Sequence, residues 1–510
     1  MAVVINSFAI SGIDSYMVKI ETEVTYGKPS TIIVGLGDAS VKEAKERIEA
    51  SINHEKYEYP KMKIVINLAP CDIKKTGSHF DLGMALGILM KTNQIDFDNV
   101  DEYAFIGELS LNGDIRGVTG VLPMVIEAKK QGIKKLIVPA INYKEAKLVS
   151  GIEIYAFDKL IDVINYLENK VPYQYEVQSE EETADDKFLD FKDVEGQDTV
   201  IDFVVAAAAG GHNLLLTGPP GCGKSMIAKR IPTILPSMTE EEALEVTKIY
   251  SVAGILKEKG SLITKRPFRS PHNNASLNAL IGGGTYAKPG EVSLAHNGVL
   301  FLDEIAEFNK NTLEALRQPM EDNCVSISRV RQSQNYPANF MLVAAMNPCP
   351  CGYYGEERCH CTDYEVIKYR NKISGPVLDR IDIQKYVKGV DFTNISKHKE
   401  GRSSKELKAM VEKAKEIQNM RFKNFDKINC NAQMPNSLTK EICILDSESY
   451  KILENAYNRF KFSARSYYKF LNLARTFADL EGETNINKNH IIKAIMCRDI
   501  EKEESKMMAM

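Results

Sequence analysis

Residues 218–225, Gly-Pro-Pro-Gly-Cys-Gly-Lys-Ser, place glycines, a lysine and a hydroxyl at the spacing G-x-x-x-x-G-K-[ST]. That combination suits a polyphosphate. Glycines such as Gly218, Gly221 and Gly223 let backbone N–H groups close round phosphate oxygens, and the following helix presents its positive dipole end to the same anion. Pro219, Pro220 and Cys222 fill the other loop positions. Lys224 is expected to reach the β- and γ-phosphates of ATP, and the Ser225 hydroxyl to ligate Mg²⁺. A second apolar run, "GVLFLDEI", ends in Asp303 and Glu304. At a strand tip Asp303 can hold Mg²⁺ through water, while Glu304 can polarise an attacking water. A third run, "NFMLVAAMNP", ends in Asn347, whose amide could orient that water.

Directly after this asparagine come Cys349, Cys351, Cys359 and Cys361, two Cys-x-Cys pairs with seven residues between them. Gly352 and Gly355 allow the intervening loop to turn. Four thiolates gathered in this way can hold a tetrahedral structural Zn²⁺, with His360 able to replace one of them. Cys-x-Cys is a tighter bite than the usual Cys-x-x-Cys, so free thiols remain an alternative, and disulfides are disfavoured in a reducing compartment. Further on, "GPVLDRIDI" sets Arg380 between two acids and "FSARSYYKFLNLAR" sets Arg465 near a helix start. Taken singly, these read as a surface ion pair and an ordinary helix-face arginine.

Such groups need a scaffold. The 510 residues are enough for about three domains, and 44% hydrophobic with 26% charged residues is ordinary globular composition. No apolar run approaches the roughly 20 residues of a membrane span. The start, "MAVVINSFAISGIDSYMVKIE", has no basic segment, continuous apolar stretch or small-residue cleavage site, so a cytoplasmic protein is expected. A net charge of −4 excludes a protein coated in basic surface, leaving any nucleic-acid contact to local features. "STIIVGL", "KIVINLA" and "ASVKEAKERIEASI" indicate an α/β domain over 1–170. An acidic linker over 171–190 follows. Strands and helices alternate again over 191–395, and "SSKELKAMVEKAKEIQNMRF", "SESYKILENAYNRF", "SARSYYKFLNLARTFADLEG" and "NKNHIIKAIMCR" make 396–510 a helical domain.

The order of phosphate loop, Asp-Glu strand, strand-tip Asn347, late Arg380 and helix-borne Arg465 resembles an AAA+ ATPase. More narrowly, "RPFRSPHNNAS", "GEVSLAHNGVLFLDEIAEF", "LEALRQPMED", "AAMNPCPCG" and "SGPVLDRIDI" resemble the magnesium-chelatase-like family called YifB or ComM, from about residue 3 to residue 497. The resemblance implies a P-loop α/β core with a helical lid. It also implies Asn347 as sensor 1, Arg380 as arginine finger acting on a neighbour's nucleotide, Arg465 as sensor 2, and a ring, expected to be a hexamer.

"GELSLNGDIRGVTGVLPMVIEAKKQGIKKLIVP" resembles the C-terminal half of the Lon protease domain. The position of that family's catalytic lysine falls on Leu122, and its serine on Gly77 or Ser78. A serine without an adjacent amine is a poor nucleophile, so the domain is expected to be proteolytically inactive. Two segments interrupt the core. One carries Lys265, Arg266 and Arg269; the other, "CVSISRVRQSQNYPANF", alternates as a hairpin would and carries Arg329 and Arg331. In the wider chelatase-like branch such insertions project into the ring's pore, where basic side chains would track phosphates; pairing with acids at a subunit interface is the competing reading. Three functions are therefore open: a DNA motor, as in the branch-migrating helicases of natural transformation; a chelatase-type remodeller of a protein partner; and a Lon-like protease, disfavoured by Leu122. The expected partners are copies of the chain and DNA.

Overall fold

A computed structural model describes residues 2–173, 189–256, 261–284, 287–329, 332–389, 401–425, 428–460 and 462–499. Most of the acidic linker, residues 174–188, and Arg331 lie outside the described residues. The chain forms two compact units. The first comprises 1–182 with 243–263 and 328–336; the second comprises 183–242, 264–327 and 337–510.

The first unit is built on a seven-stranded sheet in the order Ser30–Val34, Lys63–Ala69, Asp14–Thr25, Val3–Ser11, Tyr103–Phe105, Lys135–Pro139, Glu153–Phe157. Val3–Ser11 and Asp14–Thr25 form an antiparallel hairpin, and the last three strands continue the sheet in parallel. Alternate residues serve opposite faces. Ile5, Phe105 and Ile137 share one apolar cluster with helices Ala39–His54, Asp81–Lys91 and Leu160–Leu167. Phe8, Ala104, Leu136 and Val138 join another with helix Val121–Lys130. Helix Asp81–Lys91 lies close on the sheet because Gly83 and Gly87 share its inner face. A Cβ at Gly83 would stand 2.7 Å from Ile20 Cδ1, and one at Gly87 would stand 2.6 Å from Thr22 Oγ1.

The second unit holds a five-stranded, wholly parallel sheet in the order Phe268–Arg269, Val299–Leu302, Met341–Met346, Leu214–Thr217, Ile383–Tyr386. Its three central strands are apolar at almost every position and buried throughout, as strands covered on both faces must be. Helix Asp198–Gly210 packs here and stops where Gly211 turns left-handed (φ 69°). Helix Ser404–Phe422 opens on a capping box made by Ser403 and Glu406, and Ala464–Glu481 opens on Ser463, whose side chain accepts from the Ser466 N–H. Their apolar faces, with Lys488–Ile495, complete one continuous core with the sheet. Cys324–Arg329 and Gln332–Pro337 pair as the two-stranded ribbon expected from their alternation.

Candidate active site

The phosphate loop leaves the carboxyl end of strand Leu214–Thr217, which lies between Met341–Met346 and Ile383–Tyr386, and enters helix Lys224–Arg230. Gly221 (φ 78°) and Gly223 (φ 93°) take left-handed conformations, and a Cβ on either would project into open space with no atom within 4 Å. The loop is thus a cradle that larger residues would fill and strain. Lys224 is buried, and its Nζ donates to Gly218 O (2.7 Å) and Pro219 O (2.9 Å), folding the ammonium over the loop. It also reaches Asn347 Oδ1 at 3.4 Å. Ser225 Oγ donates to Asp303 Oδ2 at 2.8 Å, so a hydroxyl from the helix and a carboxylate from a strand end meet at one point. That oxygen-rich donor set suits Mg²⁺.

Asp303 and Asn347 stand where neighbouring strands Val299–Leu302 and Met341–Met346 end. Glu304 follows in a left-handed conformation (φ 50°), with its N–H bonded to Asp303 Oδ1 at 3.0 Å. This turn leaves Glu304 exposed and caps the short 3₁₀ helix Ile305–Glu307. A cavity of about 420 Å³ lies beside it, lined by Glu304, Asn347, Pro350, Lys368 and Tyr369 among others. Burial pushes the Tyr369 hydroxyl up to about 12, so it stays a neutral donor there.

Arg380 and Arg465 lie elsewhere. Arg380 precedes strand Ile383–Tyr386; its carbonyl accepts from Asn213 Nδ2 (3.0 Å) at the amino end of the phosphate-loop strand. Roughly five residues at about 3.3 Å each separate that end from Gly218, a distance of about 17 Å. Arg380 Nη2 and Arg465 Nη2 both bond Glu321 Oε1, at 2.6 and 2.7 Å. The two arginines therefore occupy one place, opposite the phosphate loop of their own chain. Beneath them Asp382 is buried between His212 Nδ1 (3.0 Å) and Lys469 Nζ. Burial favours its neutral form, but Lys469 and His212 outweigh that and hold the carboxyl below its usual range. The ion pair ties the Arg380 loop to the helix that carries Arg465.

The four cysteines converge. Cys349 Sγ lies 3.3 Å from Cys351 Sγ and 3.9 Å from Cys359 Sγ, and all four sulfurs, Cys361 included, fall within 4.8 Å of one another. Zinc at about 2.3 Å from each sulfur of a tetrahedron requires sulfurs about 3.8 Å apart, so the spacing fits. Gly352, between the pairs, meets the phosphate loop directly: a Cβ there would stand 2.8 Å from Pro220 Cδ.

The remaining basic residues divide. Arg266 is held by Pro236 O, Asn297 O and Glu242 (2.9 Å), and Arg269 makes a two-pronged pair with Glu291 at 2.6 and 2.7 Å. Lys265 is exposed. Arg329 ends a strand of the two-stranded ribbon. In the first unit, the Leu122 side chain is fully buried and its N–H bonds Glu145 Oε1 at 2.9 Å, a carboxylate oxygen that also accepts from Ser251 Oγ. Ser78 Oγ bonds Glu108, while Gly77 has φ 99°. Sequence reasoning missed Glu321 and Tyr369, and read Gly352 only as a turn residue. "LEALRQPMED" contains no local signal for Glu321, whose partners lie far away in the chain.

A phosphate loop at the carboxyl end of a parallel sheet, on a strand inserted between Met341–Met346 and Ile383–Tyr386, flanked by Asp303, Glu304 and Asn347 and followed by a helical C-terminal region, defines a P-loop AAA+ core. Comparison with known proteins narrows the class. Residues 190–395 match magnesium chelatase subunit ChlI, residues 20–142 match a second ChlI region, and 401–498 match the ChlI C-terminal region. The chain is 39% identical over 498 residues to competence protein ComM of Haemophilus influenzae, covering 96% of each. It is likewise 39% identical over 502 residues to YifB of Escherichia coli, covering 98% of this chain and 97% of the relative. A 117-residue stretch is 34% identical to Lon protease 2 of Bacillus subtilis, over 22% of this chain and 21% of that protein. The chain belongs to the YifB/ComM family of magnesium-chelatase-like AAA+ ATPases, with an N-terminal Lon-protease-like region. Among the described residues, no helix is long and apolar enough to cross a membrane.

Proposed function

We propose that the protein is an ATP-hydrolysing ring motor that acts on DNA, promoting branch migration as the ComM resemblance implies. The observation that carries the ring is the separation of the two halves of the site. Lys224, Ser225, Asp303, Glu304 and Asn347 gather at one end of the sheet, whereas Arg380 precedes the other end of the strand beside the phosphate-loop strand and meets Arg465 at Glu321; the strand between the two ends spans about 17 Å. Arginines so placed suit a nucleotide on a neighbouring copy; a head-to-tail contact whose rotation closes makes a ring, and the family resemblance implies a hexamer. In this reading the loop amides and Lys224 hold the β- and γ-phosphates, and Ser225 and Asp303 hold Mg²⁺. That ion would offset charge on the phosphates when bound. Glu304 takes the proton of the attacking water, Asn347 orients it, and the neighbour's Arg380 and Arg465 meet the charge that develops. Glu304→Gln then keeps ATP binding and stops turnover.

The domain layout proposed is an inactive Lon-like domain over 1–170, a linker over 171–190, the ATPase core over 191–395 and the lid over 396–510. Zinc on Cys349, Cys351, Cys359 and Cys361 would be structural, because the four ligands leave no open position for a reacting water. DNA as the track is supported by the likeness to a competence protein over 96% of each chain. Since Arg266 and Arg269 are engaged by Glu242 and Glu291, the grip is assigned first to Arg329, at the end of one ribbon strand, and to Arg331, which lies outside the described residues. DNA-stimulated ATP hydrolysis by the purified protein, together with strand displacement from a branched substrate, tests this. If neither DNA binding at low salt nor stimulation occurs, the motor acts instead on a protein partner. The magnesium chelatase match over 190–395 favours that second reading.

A further inference from the structure

Glu321 sits in the short helix Arg317–Asp322, within the run "LEALRQPMED", and has no role in the site described above. One of its oxygens, Oε1, accepts from Arg380 Nη2 at 2.6 Å and from Arg465 Nη2 at 2.7 Å. The three side chains come from separate parts of the chain. They also differ in freedom: the side chain of Arg380 is 8% exposed, those of Arg465 and Glu321 44% and 43%. Arg380 has a second anchor, Nη1 to Pro376 O at 2.6 Å, while its Nε is buried without a hydrogen-bond partner among the described residues.

Two guanidiniums sharing one oxygen atom are too close to remain together unaided, since like charges at such range repel. Glu321 offsets that repulsion, and in return both arginines hold its carboxyl below the usual range, Arg380 contributing most. The cluster keeps a net charge of +1. A cavity of about 600 Å³ opens beside it, lined by Arg380, Glu321 and Arg317 among others, with Arg317 paired to Glu314 at 3.1 Å. A dense anion brought to this face would meet two planar cations already side by side. Such geometry suits a phosphoryl group, which forks of N–H donors grip well.

We propose that Glu321 is a positioning residue that holds Arg380 and Arg465 together as a paired-guanidinium clamp for the terminal phosphate of a nucleotide bound to the neighbouring subunit. The proposal rests on the reading that Arg380 acts in trans. Without the carboxylate, half-exposed Arg465 swings into solvent and Arg380 loses one of its two anchors. A displacement of about 1 Å in such a group costs about 10²-fold in rate. Each subunit's own phosphate loop, at the far end of the sheet, is untouched.

The test is Glu321→Gln, which keeps shape and removes charge, with Glu321→Asp as the conservative partner. In assembled rings, Glu321→Gln is expected to lower kcat by about 10²-fold with KM for ATP changed by less than about twofold, and Glu321→Asp is expected to recover part of the loss. Mixing Glu321→Gln subunits with Lys224→Ala subunits should restore turnover, because one supplies an intact phosphate loop and the other an intact clamp. The same mixing with Arg380→Ala separates the two claims. If Arg380→Ala is not rescued, the trans reading fails. If it is rescued but Glu321→Gln turns over at the wild-type rate or faster, Glu321 is a bystander or a brake and the clamp is wrong. Should Glu321→Gln not assemble, full kcat in assembled Glu321→Asp with Arg465→Ala equally silent would overturn the proposal.

Discussion

At the carboxyl ends of the five parallel strands, Lys224 reaches Asn347 and Ser225 meets Asp303. At the amino ends, Arg380 and Arg465 converge on Glu321. One end gathers the groups proposed to hold a nucleotide within the chain; the other gathers two arginines round one carboxylate. The first depends on backbone, because cradling amides and the Lys224 contacts to Gly218 O and Pro219 O are fixed by the turn itself. The second depends on side chains supplied by three separate elements. A site of the first kind tolerates the loss of distant contacts, whereas one of the second kind is only as accurate as its ion pairs.

Breaking the carboxyl end should have the largest effect. Lys224→Ala removes the cation expected to span the β- and γ-phosphates, so both ATP binding and turnover should be lost, as read by fluorescent-nucleotide titration and phosphate release. Tight binding by this variant would remove Lys224 from that role. Breaking the amino end should leave binding intact and hit turnover alone. Arg380→Ala is expected to lose about 10³-fold in kcat while binding ATP normally, and rings mixed with Lys224→Ala should regain activity. Absence of rescue at any mixing ratio, with mixing verified, counts against the comparison as drawn.

A smaller effect should come from the cysteines, which brace the first end. Protein purified under reducing conditions is expected to hold about one zinc per chain, measured by elemental analysis. Cys349→Ser with Cys351→Ser should remove it and lower the melting temperature, because metal binding energy here is folding energy. The contact of Gly352 with Pro220 extends the damage to nucleotide binding, expected to weaken several-fold. Metal-free wild-type protein with normal stability would discard the clip. The smallest change concerns neither end: Arg329→Ala with Arg331→Ala should leave basal hydrolysis unchanged and abolish its stimulation by DNA. The salt dependence of DNA binding should become shallower as phosphate contacts are lost. Unaltered stimulation would move the grip to the segment around Lys265.

The carboxyl end was almost wholly legible from sequence. A phosphate cradle is continuous backbone, so Gly218 to Ser225 must be adjacent, and Asp303 and Asn347 announce themselves by ending apolar runs. Strand Lys63–Ala69 and helix Ala464–Glu481 fall on the quoted runs "KIVINLA" and "SARSYYKFLNLARTFADLEG". The amino end was legible only in part. Arg380 and Arg465 stood out through resemblance, but Glu321 pairs with Arg465 across 144 residues, and nothing local marks it. The same holds for residues 243–263, which interrupt the ATPase core in sequence yet join the first unit. Ser251 bonds Glu145 there, and Gly120 N–H bonds Ser251 O at 3.1 Å. Pairing of that kind is decided by packing, which periodicity does not record. Arg266 and Arg269 show the converse: a basic cluster suggestive of phosphate binding turned out to be engaged by acids of its own fold.

Glu304 sits at φ 50°, a conformation in which an ordinary L-residue gives up about 1 kcal/mol or more. That loss falls at the residue proposed to meet the attacking water, and on that proposal one backbone position gives up heat tolerance for turnover. Asparagine adopts the left-handed region more readily than glutamate. Glu304→Asn should therefore be inactive in hydrolysis yet melt no lower than the natural protein, and a clear drop in its melting temperature would show that the carboxylate itself supports the fold. Selection for heat resistance alone, without selection for turnover, would be expected to discard this glutamate early.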